Sequence, residues 1–195
     1  MKRTVAAVLL AAGKSSRMGS CKPLLPLGDG TVISRCLDTL QRGGVNEVVV
    51  VVSLQGEAVA RAARDHGVRC VVNPDEGGDM ASSIRVGRDS ITPETSGIIV
   101  ALCDYPLVLP DTVTALIDQH LLHPESIITP TCGGRRGHPL LLPRLMLEEL
   151  SEGNTLRDLL QKDAARIRDL PLEDSGVLID MDTPDDYRAV CALLP

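Results

Sequence analysis

Residues 4–10 form a nearly unbroken apolar run, and residues 48–52 and 98–102 repeat it, the first of these as five consecutive valines. Runs of this length without alternation are the pattern of strands buried on both faces. Residues 68–72 and 126–129 are weaker versions of the same signal. Between these runs the period changes to that of a helix. In residues 31–42, Ile33, Leu37 and Leu40 share one face, and Gly43-Gly44 supplies the stop. Residues 56–66 and 80–90 give two further helices, the second with Asp79 placed to cap its first turn. Pro110, at a first-turn position, opens another that runs to residue 122. Beyond residue 130 the pattern loosens into a glycine-rich, basic stretch (133–137), helices over 143–150 and 155–162, a strand near 177–179 and a final helix from Pro184. Strands separated by crossovers of a dozen or more residues predict an α/β, three-layer, Rossmann-like fold, a mainly parallel sheet with helices on both faces.

Length changes little in this picture. A chain of 195 residues without a repeat, a low-complexity tract or a linker reads as one domain spanning 1–195. Composition narrows it further: Phe and Trp are absent and there are two Tyr, so aliphatic side chains must fill the core and stacking of bases on aromatics is excluded as a main binding mode. The net charge of −6 argues against nucleic-acid binding, which draws on Lys and Arg. Six cysteines without a C-x-x-C pair fit neither a zinc cluster nor a redox dithiol, and read as reduced thiols of a cytoplasmic protein. The opening Met1-Lys2-Arg3 and the apolar residues after it imitate a signal peptide, but the run ends without a small-x-small cleavage pattern and suits a buried strand. No stretch reaches the ~20 apolar residues of a membrane span.

Candidate chemistry converges on three loops that follow apolar strands. The first is Leu10-Ala11-Ala12-Gly13-Lys14-Ser15-Ser16-Arg17-Met18-Gly19-Ser20-Cys21-Lys22. Its small residues let a ligand approach the backbone, and Lys14, Arg17 and Lys22 are spaced to surround a triphosphate. The spacing matches neither a Walker loop nor a dinucleotide turn, which disfavours an NAD-dependent enzyme. The second is Asp104, in Cys103-Asp104-Tyr105-Pro106, at the carboxyl end of a strand, where open α/β sheets collect ligands and where a carboxylate suits Mg²⁺; turn capping ahead of Pro106 is the plainer role. The third is Asp180-Met181-Asp182-Thr183-Pro184-Asp185-Asp186. On an extended chain Asp180 and Asp182 would face one ligand, while Thr183, Pro184 and the acids after them also make a helix start.

These residues resemble the molybdenum cofactor cytidylyltransferases, within the wider family of molybdenum-cofactor nucleotidyltransferases. The resemblance runs nearly end to end. It rests on the first loop, on Met80-Ala81-Ser82-Ser83-Ile84-Arg85-Val86-Gly87, on Asp104-x-Pro106, on Gly137-His138-Pro139 and on the closing Asp180-x-Asp182-Thr183-Pro184-x-Asp186. It implies a nucleotidyltransferase fold with nucleotide-binding residues in about 1–125 and acceptor-binding residues in about 126–195. By the same token Leu10, Ala11, Ala12, Gly13, Lys22 and Ser83 would bind the nucleotide, and Arg17, Lys22 and Asp104 would be catalytic. Asp104 and Asp182 would hold Mg²⁺, with Mn²⁺ as a substitute; Arg135, His138 and Asp180 would bind the acceptor, and Gly133 to His138, with Arg135 and Arg136, would be a mobile, anion-binding segment. The Ala11-Ala12-Gly13 form of the loop resembles the branch that uses CTP. Two departures stand out: Asp79 replaces the usual Gly before Met80, and Asn154-Thr155-Leu156-Arg157 is a loose match to its counterpart.

The implied reaction moves CMP from CTP to the terminal phosphate of a molybdenum-pterin cofactor, releasing pyrophosphate, with onward transfer to a molybdoenzyme or its chaperone. A phosphate monoester has its second pKa near ~6, so the attacking oxygen needs no strong base. The alternatives are a GTP- or other NTP-dependent enzyme acting on a sugar phosphate or alcohol phosphate, and a non-catalytic nucleotide-binding accessory protein.

Overall fold

The computed structural model describes residues 4–13, 18–75, 77–162 and 164–194. The chain begins with β1 (Val5–Ala11) and, after a 3-10 turn at Lys22–Leu24, a small hairpin of β2 (Pro26–Leu27) and β3 (Gly30–Thr31). Then follow α1 (Val32–Arg42), β4 (Glu47–Val52), α2 (Glu57–Arg64), β5 (Arg69–Val72), α3 (Met80–Asp89), β6 (Gly97–Leu102) and α4 (Pro110–Leu122). The remainder holds β7 (Ile127–Cys132), β8 (Arg135–Arg136), β9 (Leu140–Pro143), α5 (Arg144–Glu148), α6 (Leu156–Lys162), β10 (Ile167–Pro171) and α7 (Pro184–Ala192). Among the described residues the main sheet runs β10-β7-β9-β6-β1-β4-β5, with β8 paired to the end of β7. It is mostly parallel; β9 alone crosses the middle antiparallel, against both β6 and β7.

The period-2 alternation of the central strands sorts their side chains into two cores. Ala7, Leu9 and Ala11 of β1, with Val50 and Ile99, pack under α1, α2, α4 and α7, which contribute Ile33, Leu37, Ala60, Leu116 and Val190. Ala6 and Val8, with Val49, Val51, Ile98 and Val100, pack under α3, α5 and α6, which contribute Ile84, Met146, Leu147 and Leu159. Helices therefore cover both faces, as the apolar runs predict. Caps fix where helices start: Thr31 exchanges hydrogen bonds with Ser34 ahead of α1, and Thr183 with Asp186 ahead of α7.

The last third departs from the sequence reading. Residues expected as a strand near 177–179 instead form a 3-10 turn, Ser175–Leu178, because the buried Asp174 carboxylate accepts from Gly176 N–H (2.9 Å) and curls the chain. The strands there are β9, whose four buried residues fill the gap between β6 and β7, and β10 at the sheet edge. The glycine-rich stretch, expected as a mobile segment, is a hairpin. Gly133 (φ 57°) and Gly134 (φ 78°) supply the left-handed turn between β7 and β8.

Candidate functional site

β1 and β6 run in parallel register up to the pair Leu10 and Leu102, and Cys103 N–H continues the ladder to Leu10 O (3.1 Å). From β1 the chain builds outward through β4 to β5 and then returns past β1 to β6, so strand order reverses at the β1–β6 boundary. A crevice opens at the carboxyl ends of strands at such a reversal. It takes the form of a cleft of ≈ 230 Å³ lined by Leu10, Ala11, Ala12 and Gly13, by Leu102, Cys103 and Asp104, by Lys22 and Pro23, and by Gly78, Asp79, Met80 and Ser83. An adjoining lobe of ≈ 660 Å³ shares Ala11 to Gly13, Pro23, Gly78 and Ser83 and extends to Ser53, Gln55, Asn73 and Asp75 behind β4 and β5.

Three chain segments far apart in sequence meet on the β6 side. Lys22, carried by the 3-10 turn, places Nζ 2.7 Å from Asp182 Oδ1 and 4.0 Å from Asp104 Oδ2. All three side chains are half-buried or better: 13% of Lys22, 31% of Asp104 and 27% of Asp182 is exposed. Partial burial keeps solvent from screening the cluster, so its charges act strongly on whatever enters. Burial pushes the Asp104 carboxyl above its ordinary range; Lys22 and the residue's own N–H pull it back, and Asp182 and Asp180 push it up again. Asp104 Oδ1 is buried and accepts no hydrogen bond from the described residues. A buried, unsatisfied carboxylate oxygen is costly unless a cation or donor completes it.

That orphaned oxygen is the test of fit for a divalent ion, and the residues pass it. Among the described residues no group of three His, Cys, Asp or Glu side chains can enclose a metal alone. Mg²⁺ does not need one, since it is held by one or two carboxylates, water and substrate phosphates.

The other sequence candidates fall into three groups. Leu10 to Gly13 line the cleft, as does Ser83, which is buried and accepts from Asn73 Nδ2 (2.9 Å). Arg17 lies outside the described residues. Of the residues expected to bind the acceptor, Asp180 acts electrostatically on Asp104 and on His138, while Arg135 and Arg136 sit exposed on β8, and Arg136 is engaged by Asp169 through two hydrogen bonds (2.6 and 3.2 Å). Burial pushes the His138 imidazole below its ordinary range, with Asp180 opposing, so the ring is uncharged at neutral pH. Its ring lies 5.0 Å from that of Tyr105, next to Asp104. Sequence reasoning did not single out Asn73, which ties α3 to the end of β5 through Ser82 (2.7 Å) and Ser83. Its position directly after an apolar strand was the available signal. Asp79 caps α3 as expected, accepting from Ser82 N–H (2.8 Å), and also lines the cleft. No helix among the described residues is long and apolar enough to cross a membrane.

Residues 7–168 match the family described as MobA-like NTP transferase domain. The chain is similar to nicotine blue oxidoreductase of Paenarthrobacter nicotinovorans, 35% identical over 146 residues (71% of this chain, 70% of that protein). It is 27% identical to the molybdenum cofactor cytidylyltransferase of Escherichia coli over 188 residues, 92% of each. To the bifunctional protein GlmU of Psychrobacter sp. it is 31% identical over 167 residues, and there it spans only 35% of the relative's length. Among solved structures it superposes on Rv0371c of Mycobacterium tuberculosis with a TM-score of 0.85 at 31% identity, covering 98% of this chain and 100% of that one. A second structure of Rv0371c is a complex with manganese (TM-score 0.81, 29% identity).

Proposed function

Because the chain belongs to the MobA-like NTP transferase domain family, we propose that it transfers a nucleoside monophosphate from a nucleoside triphosphate to a small phosphorylated acceptor, releasing pyrophosphate. CTP is the favoured donor and the terminal phosphate of a molybdenum-pterin the favoured acceptor. The donor rests on the Ala11-Ala12-Gly13 loop and the acceptor on the end-to-end likeness to the cytidylyltransferase of E. coli. One observation carries the reading: Lys22 held between Asp104 and Asp182 at the mouth of the crevice.

The chemistry asks the protein for position and charge rather than for a covalent partner. Lys22, fixed by Asp182, presents its ammonium to the phosphates of the donor. Arg17, from the first loop, adds a bidentate contact. Leu10 to Gly13 and Ser83 seat the nucleoside against the ends of β1 and α3. Asp104 and Asp182 would hold Mg²⁺ or Mn²⁺, and the manganese complex of Rv0371c supports a divalent ion at this fold. When bound, the ion supplies charge neutralisation and aligns phosphate oxygens. Asp180, which acts electrostatically on both Asp104 and His138, would bind the acceptor together with His138 and Arg135.

A screen of four nucleoside triphosphates with Mg²⁺ or Mn²⁺, against molybdopterin and a panel of sugar phosphates, tests this by pyrophosphate release. CTP with molybdopterin is the expected pair. Release with sugar phosphates alone would move the acceptor toward that of a GlmU-like enzyme, and nucleotide binding without release under any acceptor would make the chain an accessory protein. The relative named nicotine blue oxidoreductase supports a second reading, in which the cleft holds a redox nucleotide. Consumption of NADH or NADPH with a dye acceptor, without pyrophosphate release, would establish it.

A further inference from the structure

We infer that Asp79 is a specificity-determining residue that favours a nucleobase bearing an exocyclic amine, so that CTP is chosen over UTP. The inference rests on the nucleotide-binding reading of the cleft. Asp79 is the N-cap of α3, in extended backbone (φ −81°, ψ −179°), and its Oδ1 accepts from Ser82 N–H at 2.8 Å. Among the described residues its side chain makes no other hydrogen bond. The residue is exposed, yet it borders the same ≈ 230 Å³ cleft as Lys22 and Asp104.

Topology sets the orientation of a ligand in that cleft. β6, which delivers Asp104, lies on one side of β1, and β5, from which the chain runs into Gly78 and Asp79, lies on the other side beyond β4. Lys22, Asp104 and Asp182 form the charged end, which suits phosphates and a divalent ion. A nucleotide anchored there and laid across Ala11 to Gly13 brings its base to the start of α3. At that end it meets Met80, 46% exposed, which offers a flexible, polarisable apolar contact in a chain with no Phe or Trp, and it meets the Asp79 carboxylate.

The cap changes what this helix start can bind. A free helix N-terminus attracts anions through its unpaired N–H groups and dipole. With a carboxylate in place the same spot repels anions and offers only hydrogen-bond acceptance. Cytosine presents an amine there and uracil a carbonyl in the same position, in rings of the same size. The amine donates to the carboxylate, a charge-assisted hydrogen bond; the carbonyl sets acceptor against acceptor and gains nothing.

The test is equilibrium binding of CTP and UTP, with Mn²⁺ and without acceptor, to the whole protein and two variants. Asp79→Asn keeps the cap, since Asn and Asp are comparable N-caps, and adds an amide that can donate to a carbonyl. Asp79→Ser keeps a capping oxygen and withdraws the carboxylate. The wild type should bind CTP about tenfold or more tighter than UTP. Asp79→Asn should bring the ratio close to one by strengthening UTP, and Asp79→Ser should do so by weakening CTP. Equal wild-type affinities, or a CTP preference that survives both substitutions, overturns the role of Asp79 while leaving the nucleotide cleft standing. Failure of the wild type to bind any nucleoside triphosphate overturns the functional reading itself and this inference with it. Thermal unfolding of each variant confirms that α3 remains seated.

Discussion

Burial pushes the Asp104 carboxyl up, and the pull of Lys22 does not cancel that push. The direction has a consequence for stability. Below the unfolded carboxyl value of 3.8 both states hold the proton, and Asp104 costs nothing. As pH rises from there through the raised folded value, the unfolded chain releases its proton first, so stability falls and the full penalty is present at neutral pH. Asp104→Asn, measured without divalent metal, should therefore raise the melting temperature at pH 7, with the gain shrinking toward pH 4. The same variant should lose the stabilisation that Mg²⁺ or Mn²⁺ gives the wild type, and with it at least ~10²-fold in turnover, as lost electrostatic stabilisation does. A variant that melts lower than wild type at pH 7, or still responds fully to metal, would remove the assignment. Lys22→Ala tests the other half of the cluster. It removes the cation that lies beside both Asp104 and Asp182, so it should melt lower than wild type at pH 7, and turnover should again fall by ~10²-fold or more. Unchanged turnover would exclude Lys22 from phosphate contact. At this scale the residues that the structure brings together were candidates in the sequence. Lys22 was named from the spacing of loop cations, Asp104 from a strand end and Asp182 from a pair of carboxylates ahead of a helix, while their expected roles came from the family resemblance. What the sequence could not carry is that Asp182 reaches Lys22 across 160 positions, or that Asp104 Oδ1 is left without a partner.

Elements near the site are positioned by contacts so close that a single methyl group matters. Gly87, on the inner face of α3, sits where an added Cβ would lie 2.4 Å from Val8 Cγ1 and 3.0 Å from Val51 Cγ2, so the helix rests directly on β1 and β4. The same helix carries Asp79, Met80 and Ser83 to the cleft. Gly87→Ala relieves an entropic cost in the helix but must lift α3 off the sheet, and overpacking of this kind costs about 1–3 kcal/mol. Because the displacement moves cleft residues that the substitution never touches, nucleotide affinity should fall along with stability. Urea unfolding and nucleotide titration of one variant check both. A fall in stability with unchanged affinity would mean that the start of α3 is not part of the binding surface. Most helices and parallel strands of the first two thirds were legible because they bury a long apolar pattern bounded by Gly, Pro or a capping residue; β5, short and partly exposed, gave a weaker signal. β9 and β10 were not. Four consecutive apolar residues running into a helix give no period to read, and β10, partly exposed at an edge, alternates too weakly to separate from loop. The turn at Ser175–Leu178 was taken for a strand because Val177, Leu178 and Ile179 are strand formers; the buried hydrogen bond from Gly176 N–H to Asp174 outweighs that local preference.

Across the whole molecule, the segment from Asp174 to Asp182 binds the last third of the chain to the first. Asp174, 5% exposed, accepts from Leu109 N–H (2.9 Å) and Thr112 Oγ1 (2.6 Å) with Oδ2 and from Gly176 N–H (2.9 Å) with Oδ1. Leu109 is the N-cap of α4 and has no capping side chain of its own, so a residue 65 positions later does that work. Close backbone approaches continue the seam. A Cβ on Gly176 would lie 2.2 Å from Leu107 O and one on Gly137 2.1 Å from Val177 O, while His138 N–H donates to Val177 O at 2.9 Å. A few residues on, Asp182 reaches Lys22. Asp174→Ala leaves three donors, two of them on the backbone, without their acceptor in a buried place, and it removes a negative group from the start of a helix. Losses of hydrogen bonds to a charged, buried acceptor run to about 1.5–3 kcal/mol each and are not additive, so a total near 3 kcal/mol is expected. Asp174→Asn, which keeps one carbonyl oxygen, should lose less. Since Asp182 follows the same seam, Asp174→Ala should also lower turnover in the surviving folded protein. An unfolding free energy within about 0.5 kcal/mol of wild type would show that the two parts are held together by apolar packing alone, and that the placement of Asp182 owes nothing to Asp174.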